Sequence, residues 1–339
     1  MLGQTIAKLM PSEGWSMKPL HSLVGHSMTV LPYGLATATT PPRFSGQVFE
    51  SVCQDAQRGA VPIYGRLDRA KRGTDSLVII LHGIASTPND SYVRQLAKQL
   101  NERGLDALRI TLRGATCKGH DHYHAGQIDD LLSLIADPQL STYTSLFLVG
   151  YSMGGQIALR FALDVREPRL RGLATVCAPI CMRSAQDALD APSMLAYRLA
   201  ILNALKFKYR RLTRNAKRIG QTMVAMEPEL SKIKTFYDWD RTIVCPRFGY
   251  RSVHSYYDTV STGPELHRLK IPSLLIFGAQ DPIVPLAGIK EFIGTASADS
   301  DVHVLSPGGH LGFSPRASIG HGRKLGLHHQ IADWLAEQR

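Results

Sequence analysis

The sequence predicts an α/β fold with a mostly parallel central sheet and helices on both faces of that sheet. Short, unbroken apolar runs alternate with segments of helical spacing along most of the 339 residues. Such strands are typical of parallel sheets covered on both sides, because neither face of the strand meets water. A late stretch, residues 184–262, has helical segments and no convincing strand. We interpret this stretch as a helical insertion that caps the carboxyl ends of the strands.

The elements follow one another in a regular order. Strands are predicted at residues 77–81, 107–112, 146–149, 173–176, 273–277 and 302–305. Helices are predicted, from apolar residues at three- and four-residue spacing, at residues 91–103, 131–135, 156–165 and 329–335. Residues 1–45 lack strong periodicity and are predicted to form an N-terminal arm. The α/β core then spans residues 46–183 and 263–339.

Composition and charge exclude several classes of protein. An apolar fraction of 44% and a charged fraction of 20% exclude a disordered chain, a collagen and a coiled coil. The excess of 39 Lys and Arg over 28 Asp and Glu leaves a net charge of +11. Five cysteines without a Cys-x-x-Cys pair indicate neither a disulfide framework nor a thiolate zinc site. We recognise no signal peptide and no membrane-spanning segment, so we expect a cytoplasmic protein.

The most informative motif is Gly-Tyr-Ser-Met-Gly at residues 150–154, which follows the pattern G-x-S-x-G. A predicted buried strand ends before the motif and a predicted helix follows it, which is the context of a nucleophile elbow. The flanking glycines let strand and helix approach each other, so that the hydroxyl of Ser152 projects near the positive end of the helix. The alternative is a glycine-rich turn with a passive serine. A similar sequence around Ser27, Gly-His-Ser-Met-Thr at residues 25–29, lacks the closing glycine and a following helix.

A serine nucleophile needs a base, and the base needs a third group that orients it. In a strand–turn–helix elbow of this type the serine, the acid and the histidine follow one another along the chain. Asp281 follows the predicted strand at 273–277, and His310 follows the one at 302–305. We therefore predict that His310 takes the proton of Ser152 and that Asp281 fixes the tautomer of His310.

The oxyanion hole is expected to consist of two backbone N–H groups, because the charge of a tetrahedral intermediate needs preorganised donors. One is predicted to be the N–H of Met153, directly after the nucleophile. The other is predicted to be the N–H of Ile84, after the strand that ends at His82-Gly83.

Together these motifs resemble the α/β-hydrolase superfamily. The resemblance depends on His-Gly at 82–83, the elbow at 150–155, Asp-Pro at 281–282 and Gly-Gly-His at 308–310. Further segments resemble the YheT-like esterase family, also called the AB-hydrolase-4 family: Leu-Arg-Gly at 112–114, Tyr-His-Ala-Gly at 123–126, Ser-Tyr-Tyr at 255–257 and Gly-Gly-His-Leu-Gly-Phe at 308–313. The resemblance covers residues 78–335 and implies a carboxylesterase, with fungal relatives that also transfer medium-chain acyl groups to alcohols. Residues 84–87 and 115–118 depart from the family pattern, which affects the expected substrate range and leaves the triad intact.

The predicted function is that of a serine hydrolase that cleaves esters of short or medium acyl chains through an acyl-enzyme. No cofactor and no metal are expected, and the partner is a small ester or a lipid-like substrate. Two alternatives stay open: transfer of the acyl group to an alcohol, and a catalytically silent ligand-binding protein on the same fold. The sequence leaves the oligomeric state open.

Two further segments have unusual side chains. His120, His122 and His124 lie close together, but three histidines at so short a spacing rarely meet one ion, and we expect a polar loop beside the active site. Residues 206–218 contain seven Lys and Arg after an apolar segment at 194–205. This pairing fits weak contact with an anionic membrane, a phosphate-bearing ligand or a solvated basic face. Nucleic-acid binding is not expected, because no aromatic stacking platform accompanies the charge.

Overall fold

A computed structural model describes residues 25–27, 46–225, 227–322 and 326–339. The strands are β1 (Gln47–Asp55), β2 (Gly59–Asp68), β3 (Ser76–Leu81), β4 (Asp106–Thr111), β5 (Ser145–Tyr151), β6 (Leu170–Val176), β7 (Ser273–Gly278) and β8 (Ser300–Leu305). They form one sheet with the order β1-β2-β4-β3-β5-β6-β7-β8. The predicted N-terminal arm lies outside the described residues, apart from residues 25–27.

The sheet is mostly parallel, which confirms the predicted fold class. Strands β4, β3, β5, β6, β7 and β8 pair in parallel, whereas β2 pairs with both β1 and β4 in antiparallel orientation. All six residues are buried in each of β3, β4 and β7. This complete burial explains why these strands appear in the sequence as unbroken apolar runs.

The sequence analysis missed the hairpin of β1 and β2 at the edge of the sheet. In β1, Phe49 and Cys53 are buried, whereas Val48 and Val52 are 59% and 48% exposed. A strand with one face toward water alternates buried and exposed residues. The hairpin therefore has no unbroken apolar run of the kind used to predict the other strands.

Helices pack on both faces of the sheet. They are α1 (Ser91–Glu102), α2 (Asp129–Ile135), α3 (Met153–Asp164) and, near the C-terminus, α10 (Lys290–Ile293) and α11 (Leu327–Glu337), with short 3-10 turns at Pro138–Leu140 and Leu286–Gly288. Successive residues of a strand point to opposite faces. Accordingly, Val78 and Ile80 pack in a cluster with α1 and α11, and Ile79 and Leu81 pack in a second cluster with α2 and α3.

The chain between β6 and β7 forms helices, and no described residue there belongs to a strand. The helices are α4 (Met182–Asp190), α5 (Leu195–Arg218), α6 (Glu227–Lys232), α7 (Phe236–Trp239), α8 (Cys245–Phe248) and α9 (Val253–Val260), with a π-helical turn at Asp240–Val244 and 3-10 turns at Pro192–Met194 and Gly263–Arg268. We call residues 182–268 the helical insertion. Its buried side chains, such as Leu202 and Tyr209, join the apolar cluster of Ile79 and Leu81. Among the described helices, none is long and apolar enough to cross a membrane.

Candidate active site

Ser152 lies at the sharp turn between β5 and α3, at the carboxyl end of a central strand. Its backbone has φ +49° and ψ −122°, a conformation that non-glycine residues rarely adopt. The neighbouring glycines make this turn possible: a Cβ at position 150 would overlap the carbonyl oxygen of Gly154, and a Cβ at position 154 would lie 2.5 Å from the carbonyl oxygen of Leu81. The turn is held by a hydrogen bond of 2.8 Å from the Ser152 N–H to the carbonyl of Val176.

The structure brings the three predicted side chains together in one hydrogen-bonded chain. The Nε2 of His310 lies 2.9 Å from the Oγ of Ser152, and the Nδ1 of His310 lies 2.8 Å from the Oδ2 of Asp281. All three residues are buried. Because an ionised carboxylate can only accept, the proton on the imidazole is assigned to Nδ1, and Nε2 then accepts from the serine hydroxyl.

The carboxylate of Asp281 is oriented by its own loop. Its Oδ1 accepts hydrogen bonds from the N–H groups of Ile283 and Val284, at 2.8 and 2.9 Å. The other oxygen is therefore directed at His310. Two hydrogen bonds join this loop, which follows β7, to the loop after β8 that contains His310. The Gln280 N–H donates to the Gly308 carbonyl, and the Gly308 N–H donates to the Gln280 side chain, both at 2.9 Å.

Other histidines near the C-terminus lie elsewhere. His303 and His321 both contact Asp301, at 2.9 and 3.1 Å. His328 is half-buried and packs against the ring of Tyr151, with ring centroids 6.1 Å apart. Burial lowers the pKa of His328 to about 4, so it is neutral at pH 7.

The backbone around Ile84 and Met153 leaves two N–H groups available beside the serine. Both residues line the same cavity as Ser152. Met153 is the first residue of α3, so its N–H has no acceptor within the helix. In the turn after β3 the N–H groups on either side of Ile84 are occupied, because Gly83 donates to the Tyr92 hydroxyl at 3.0 Å and Ala85 donates to the Tyr123 hydroxyl at 2.9 Å. Within the described ranges, no acceptor contacts the N–H of Ile84 or Met153, and their role as oxyanion donors stays a prediction.

The sequence analysis did not identify the side chain that holds this turn from the helical insertion. The Nζ of Lys208, in α5, donates to the carbonyls of Ala85 and Ser86 at 2.7 and 3.1 Å, and Lys208 lines the cavity. Burial lowers the pKa of its ammonium group. Ala85 itself has φ +59°, so a strained residue lies between the two contacts made by Tyr123 and Lys208. In the sequence, Lys208 belongs to the basic run 206–218, and nothing there distinguishes it from the surface cations.

The cavity above Ser152 is formed by the loops after the parallel strands on one side and by the helical insertion on the other. The insertion contributes mainly apolar side chains, among them Leu205, Leu212 and Trp239. The polar side chains that the insertion adds include Gln186, Lys208 and Asp240. Asp240 accepts a hydrogen bond of 2.7 Å from the Tyr257 hydroxyl, and burial raises the pKa of Asp240 to about 7.

The predicted histidine loop contributes to this cavity through His122 and His124. Burial lowers the pKa of His122 to about 4 and that of His124 to about 3, so both are neutral at pH 7. The ring of His122 packs against Tyr209 and Phe248, and the ring of His124 packs 4.1 Å from Phe248. His120 instead lies 3.4 Å from the carbonyl of Arg58, so the three imidazoles do not converge on one point.

Two other groups of side chains have metal-type ligand atoms within 4.8 Å of one another in the described part of the chain. The first is Cys177 with Asp281 and His310, where the imidazole already bridges Asp281 and Ser152. Burial, followed by the charge of Asp281, raises the pKa of the Cys177 thiol well above its usual value, so this sulfur stays protonated. The second is the half-exposed group of Asp301, His303 and His321 on β8 and the following loop.

The sheet order and the serine at the strand-to-helix turn define an α/β-hydrolase. The chain belongs to the Hydrolase_4 family: the sequence profile of that family, described as serine aminopeptidase, S33, matches residues 72–313. The fold and the family both confirm the α/β-hydrolase superfamily that the motifs predicted.

The curated relatives agree with the predicted YheT-like branch. The chain is 24% identical over 265 residues to a putative esterase YheT of Escherichia coli (strain K12), covering 76% of each protein. It is 26% identical over 250 residues to an abhydrolase domain-containing protein of Dictyostelium discoideum, covering 70% of this chain and 61% of that one. A monoacylglycerol lipase of Saccharomyces cerevisiae is 22% identical over 249 residues, covering 70% of this chain and 54% of that one. The chain therefore spans less than two thirds of two of these three relatives.

Solved structures share the fold. A 2,6-dihydroxy-pseudo-oxynicotine hydrolase superposes with a TM-score of 0.54 at 18% identity, covering 91% of this chain and 71% of that one. The esterase Pf2001 of Pyrococcus furiosus superposes with a TM-score of 0.51 at 18% identity, covering 79% and 84%. At this level of identity the likeness concerns the fold alone.

Proposed function

We propose that this protein is a serine esterase that cleaves carboxylic esters of short or medium acyl chains through an acyl-enzyme. The observation that carries the proposal is the hydrogen-bonded chain from Asp281 through His310 to Ser152, with distances of 2.8 and 2.9 Å. Membership of a hydrolase family and relatives named esterase or lipase support the same class of reaction.

In the proposed acylation step, the Oγ of Ser152 attacks the ester carbonyl while Nε2 of His310 accepts the hydroxyl proton. Asp281 stabilises the imidazolium that forms. The negative charge that develops on the carbonyl oxygen is stabilised by the N–H groups of Ile84 and Met153, a kind of contribution worth about 10²–10³ in kcat per donor. The imidazolium then gives its proton to the leaving alcohol, and the acyl group stays on Ser152.

Deacylation repeats these steps with water as the nucleophile. Nε2 of His310 removes a proton from the water, the tetrahedral intermediate collapses, and the acid product leaves with Ser152 reprotonated. If an alcohol replaces the water, the same steps give acyl transfer. Water and alcohol therefore compete as nucleophiles for the acyl-enzyme.

The apolar side of the cavity suits the acyl chain. Leu205, Leu212 and Trp239 of the helical insertion line it opposite the serine loop. Each buried methylene contributes about 0.8 kcal/mol, so the rate should rise with chain length until the cavity is filled.

The test uses a series of p-nitrophenyl esters from acetyl to palmitoyl, an acylglycerol ester and an aminoacyl p-nitroanilide, together with labelling by a fluorophosphonate probe. The glycerol ester follows from the relatives named monoacylglycerol lipase, and the anilide follows from the family description. We expect turnover of the esters with a burst of p-nitrophenol, and a preference for short or medium acyl chains. Ser152→Ala should abolish labelling and lower kcat by roughly 10⁶.

Ser27→Ala is the matched control, because Ser27 occupies the serine position of the similar sequence Gly-His-Ser-Met-Thr at residues 25–29, which lacks the closing glycine. It should label and turn over like the unmodified protein. Circular dichroism of both variants separates loss of chemistry from loss of fold. Undiminished labelling of Ser152→Ala would refute the nucleophile, and a folded protein that neither labels nor releases chromophore would favour the silent binding protein. Accumulation of a new ester when a medium-chain alcohol is added would favour acyl transfer.

A further inference from the structure

The outward side of α5 is unusual for the surface of a globular protein. Side chains four residues apart lie on the same side of a helix. Leu195, Leu199 and Phe207 lie along one such row, which winds gradually around the helix, and are 49%, 47% and 54% exposed. The opposite side of α5 contributes Leu205 and Leu212 to the cavity above the serine. One helix therefore roofs the candidate active site and presents a second apolar side outward.

Exposed apolar residues concentrate here. Among the described residues, eight large hydrophobic side chains are exposed, and five of these eight fall between residues 195 and 224: Leu195, Leu199, Phe207, Ile219 and Val224. Scattered exposed apolar residues need no explanation, whereas a group of them marks an interaction surface.

The seven cations of the basic run divide into two sets. The Nζ of Lys206 donates to the carbonyl of Ile233 at 2.6 Å, Lys208 faces the cavity, and Arg210 is half-buried. The remaining four are exposed: Arg211, Arg214, Lys217 and Arg218. The exposed cations of the run therefore come from its second half.

The exposed cations continue directly from the apolar residues. The guanidinium of Arg211 lies 5.5 Å from the centre of the Phe207 ring. Residues 195–224 contain no Asp or Glu. We call Leu195, Leu199, Phe207 and the four exposed cations the α5 outer face.

We propose that the α5 outer face docks on an anionic lipid surface. Leu195, Leu199 and Phe207 would enter the boundary between headgroups and acyl chains, while the cations contact phosphate or carboxylate headgroups. This combination of insertion and charge favours a bilayer over a nucleic acid, for which exposed leucines contribute nothing. Docking would place the cavity about one helix diameter, roughly 10 Å, from the lipid. The inference does not depend on the chemistry at Ser152.

The test is cosedimentation of the full chain with vesicles of phosphatidylcholine alone and of phosphatidylcholine with phosphatidylserine, at low and at physiological salt. We expect binding only to the anionic vesicles, weakened by salt because the attraction falls off within a Debye length. The face variant replaces Arg211, Arg214, Lys217 and Arg218 with Gln. Its partition coefficient should fall about fivefold for each cation that contributes fully. Phe207→Gln should also weaken binding while it leaves the net charge unchanged.

A matched control removes the same charge from the opposite end of the sheet. Lys71, Arg72, Arg171 and Lys270 are exposed and lie near the amino ends of β3, β6 and β7. Their replacement by Gln should leave vesicle binding close to that of the unmodified protein. Hydrolysis of a soluble p-nitrophenyl ester should be the same in both quadruple variants, so a failure of docking is distinguishable from a failure of the proposed esterase.

Three results would overturn the proposal. Equal binding to both kinds of vesicle, or to neither, would exclude an anionic lipid surface. An equal loss in the face variant and in the control would assign binding to net charge rather than to this face. A concentration-dependent dimer that Phe207→Gln abolishes, without vesicle binding, would assign the face to a second copy of the chain.

Discussion

At the scale of single residues, the candidate site combines a strained backbone at Ser152 with a carboxylate, that of Asp281, whose orientation is held by hydrogen bonds. The positive φ of Ser152 costs about 1–3 kcal/mol. It is held by the close approach of the backbone at residues 150 and 154 and by the bond from the Ser152 N–H to the Val176 carbonyl. Asp281 is fixed differently, by two backbone N–H groups that occupy one carboxylate oxygen. The second oxygen lies 2.8 Å from Nδ1 of His310.

This geometry predicts the effect of Asp281→Asn. An amide whose NH2 faces His310 would favour the wrong tautomer, with the proton on Nε2, and we expect kcat to fall by roughly 10⁴ with the fold intact. Asp301→Asn is the control, because Asp301 also contacts histidines but lies on β8 away from the cavity lining. Steady-state kinetics on a p-nitrophenyl ester measures both variants. Near-normal kcat in Asp281→Asn would show that another group orients His310.

At the scale of elements, α5 connects the helical insertion to the loop that presents Ile84. The contact is made by one ammonium group on two consecutive carbonyls, those of Ala85 and Ser86. The turn also contains Ala85 at φ +59°, a conformation that needs support from outside the turn. We therefore expect Lys208 to act as a positioning residue for the predicted oxyanion hole.

Lys208→Met should lower kcat by about tenfold, part of the loss expected for a missing oxyanion donor, and should change KM less. Lys206→Met is matched to it, because Lys206 lies two residues away and its ammonium bonds the carbonyl of Ile233 instead. The measurement is kcat and KM for both variants, with thermal unfolding to compare stability, and Lys208→Arg should recover part of the rate. Equal losses of kcat in the two methionine variants would show that Lys208 stabilises the structure generally and does not position the oxyanion hole.

At the scale of the whole molecule, a buried cluster of ion pairs joins the helical insertion to the sheet. The cluster contains three arginines and three aspartates: Arg58, Arg113, Arg247, Asp55, Asp121 and Asp130. Arg247 belongs to α8, whereas Asp55 belongs to β1 and Asp121 to the loop after β4. Burial opposes ionisation of Asp121, but the hydrogen bond from Arg247 and the nearby cations outweigh it and lower the pKa of that carboxyl. The contribution of Asp121 to stability is therefore present above about pH 4 and is lost as the pH falls further.

Arg247→Met should destabilise the protein by about 3–5 kcal/mol, because it leaves buried carboxylates without a partner. Arg247 is 3% exposed and donates to Asp121 at 2.7 Å and to Asp55 at 2.8 Å. Arg241→Met removes an exposed ion pair of 3.4 Å with Asp238 and should cost less than about 1 kcal/mol. Urea unfolding at pH 7 measures both. A loss for Arg247→Met no larger than that for Arg241→Met would show that the cluster contributes little to joining the insertion to the sheet.

Several features could be predicted from the sequence because a local pattern has a physical cause. Strands β3 to β7 are buried on both faces or nearly so, and their apolar runs follow directly from that burial. The positions of Ser152, Asp281 and His310 could be predicted because a nucleophile elbow and its partners occur in a constant chain order at strand ends. The hairpin of β1 and β2 lacks such a run, since half of its side chains face water.

Only the tertiary structure decided what depends on contacts between distant parts of the chain. Lys208 reaches Ala85 across 123 residues and Arg247 reaches Asp121 across 126 residues, and such pairings have no period or motif in the sequence. For the same reason the number of cations in the run 206–218 could be read from the sequence, whereas their division into buried and exposed sets could not. Which cations point into the cavity and which point outward depends on the side of α5 that packs against the rest of the protein. A helix acquires that side only when its partner elements are in place.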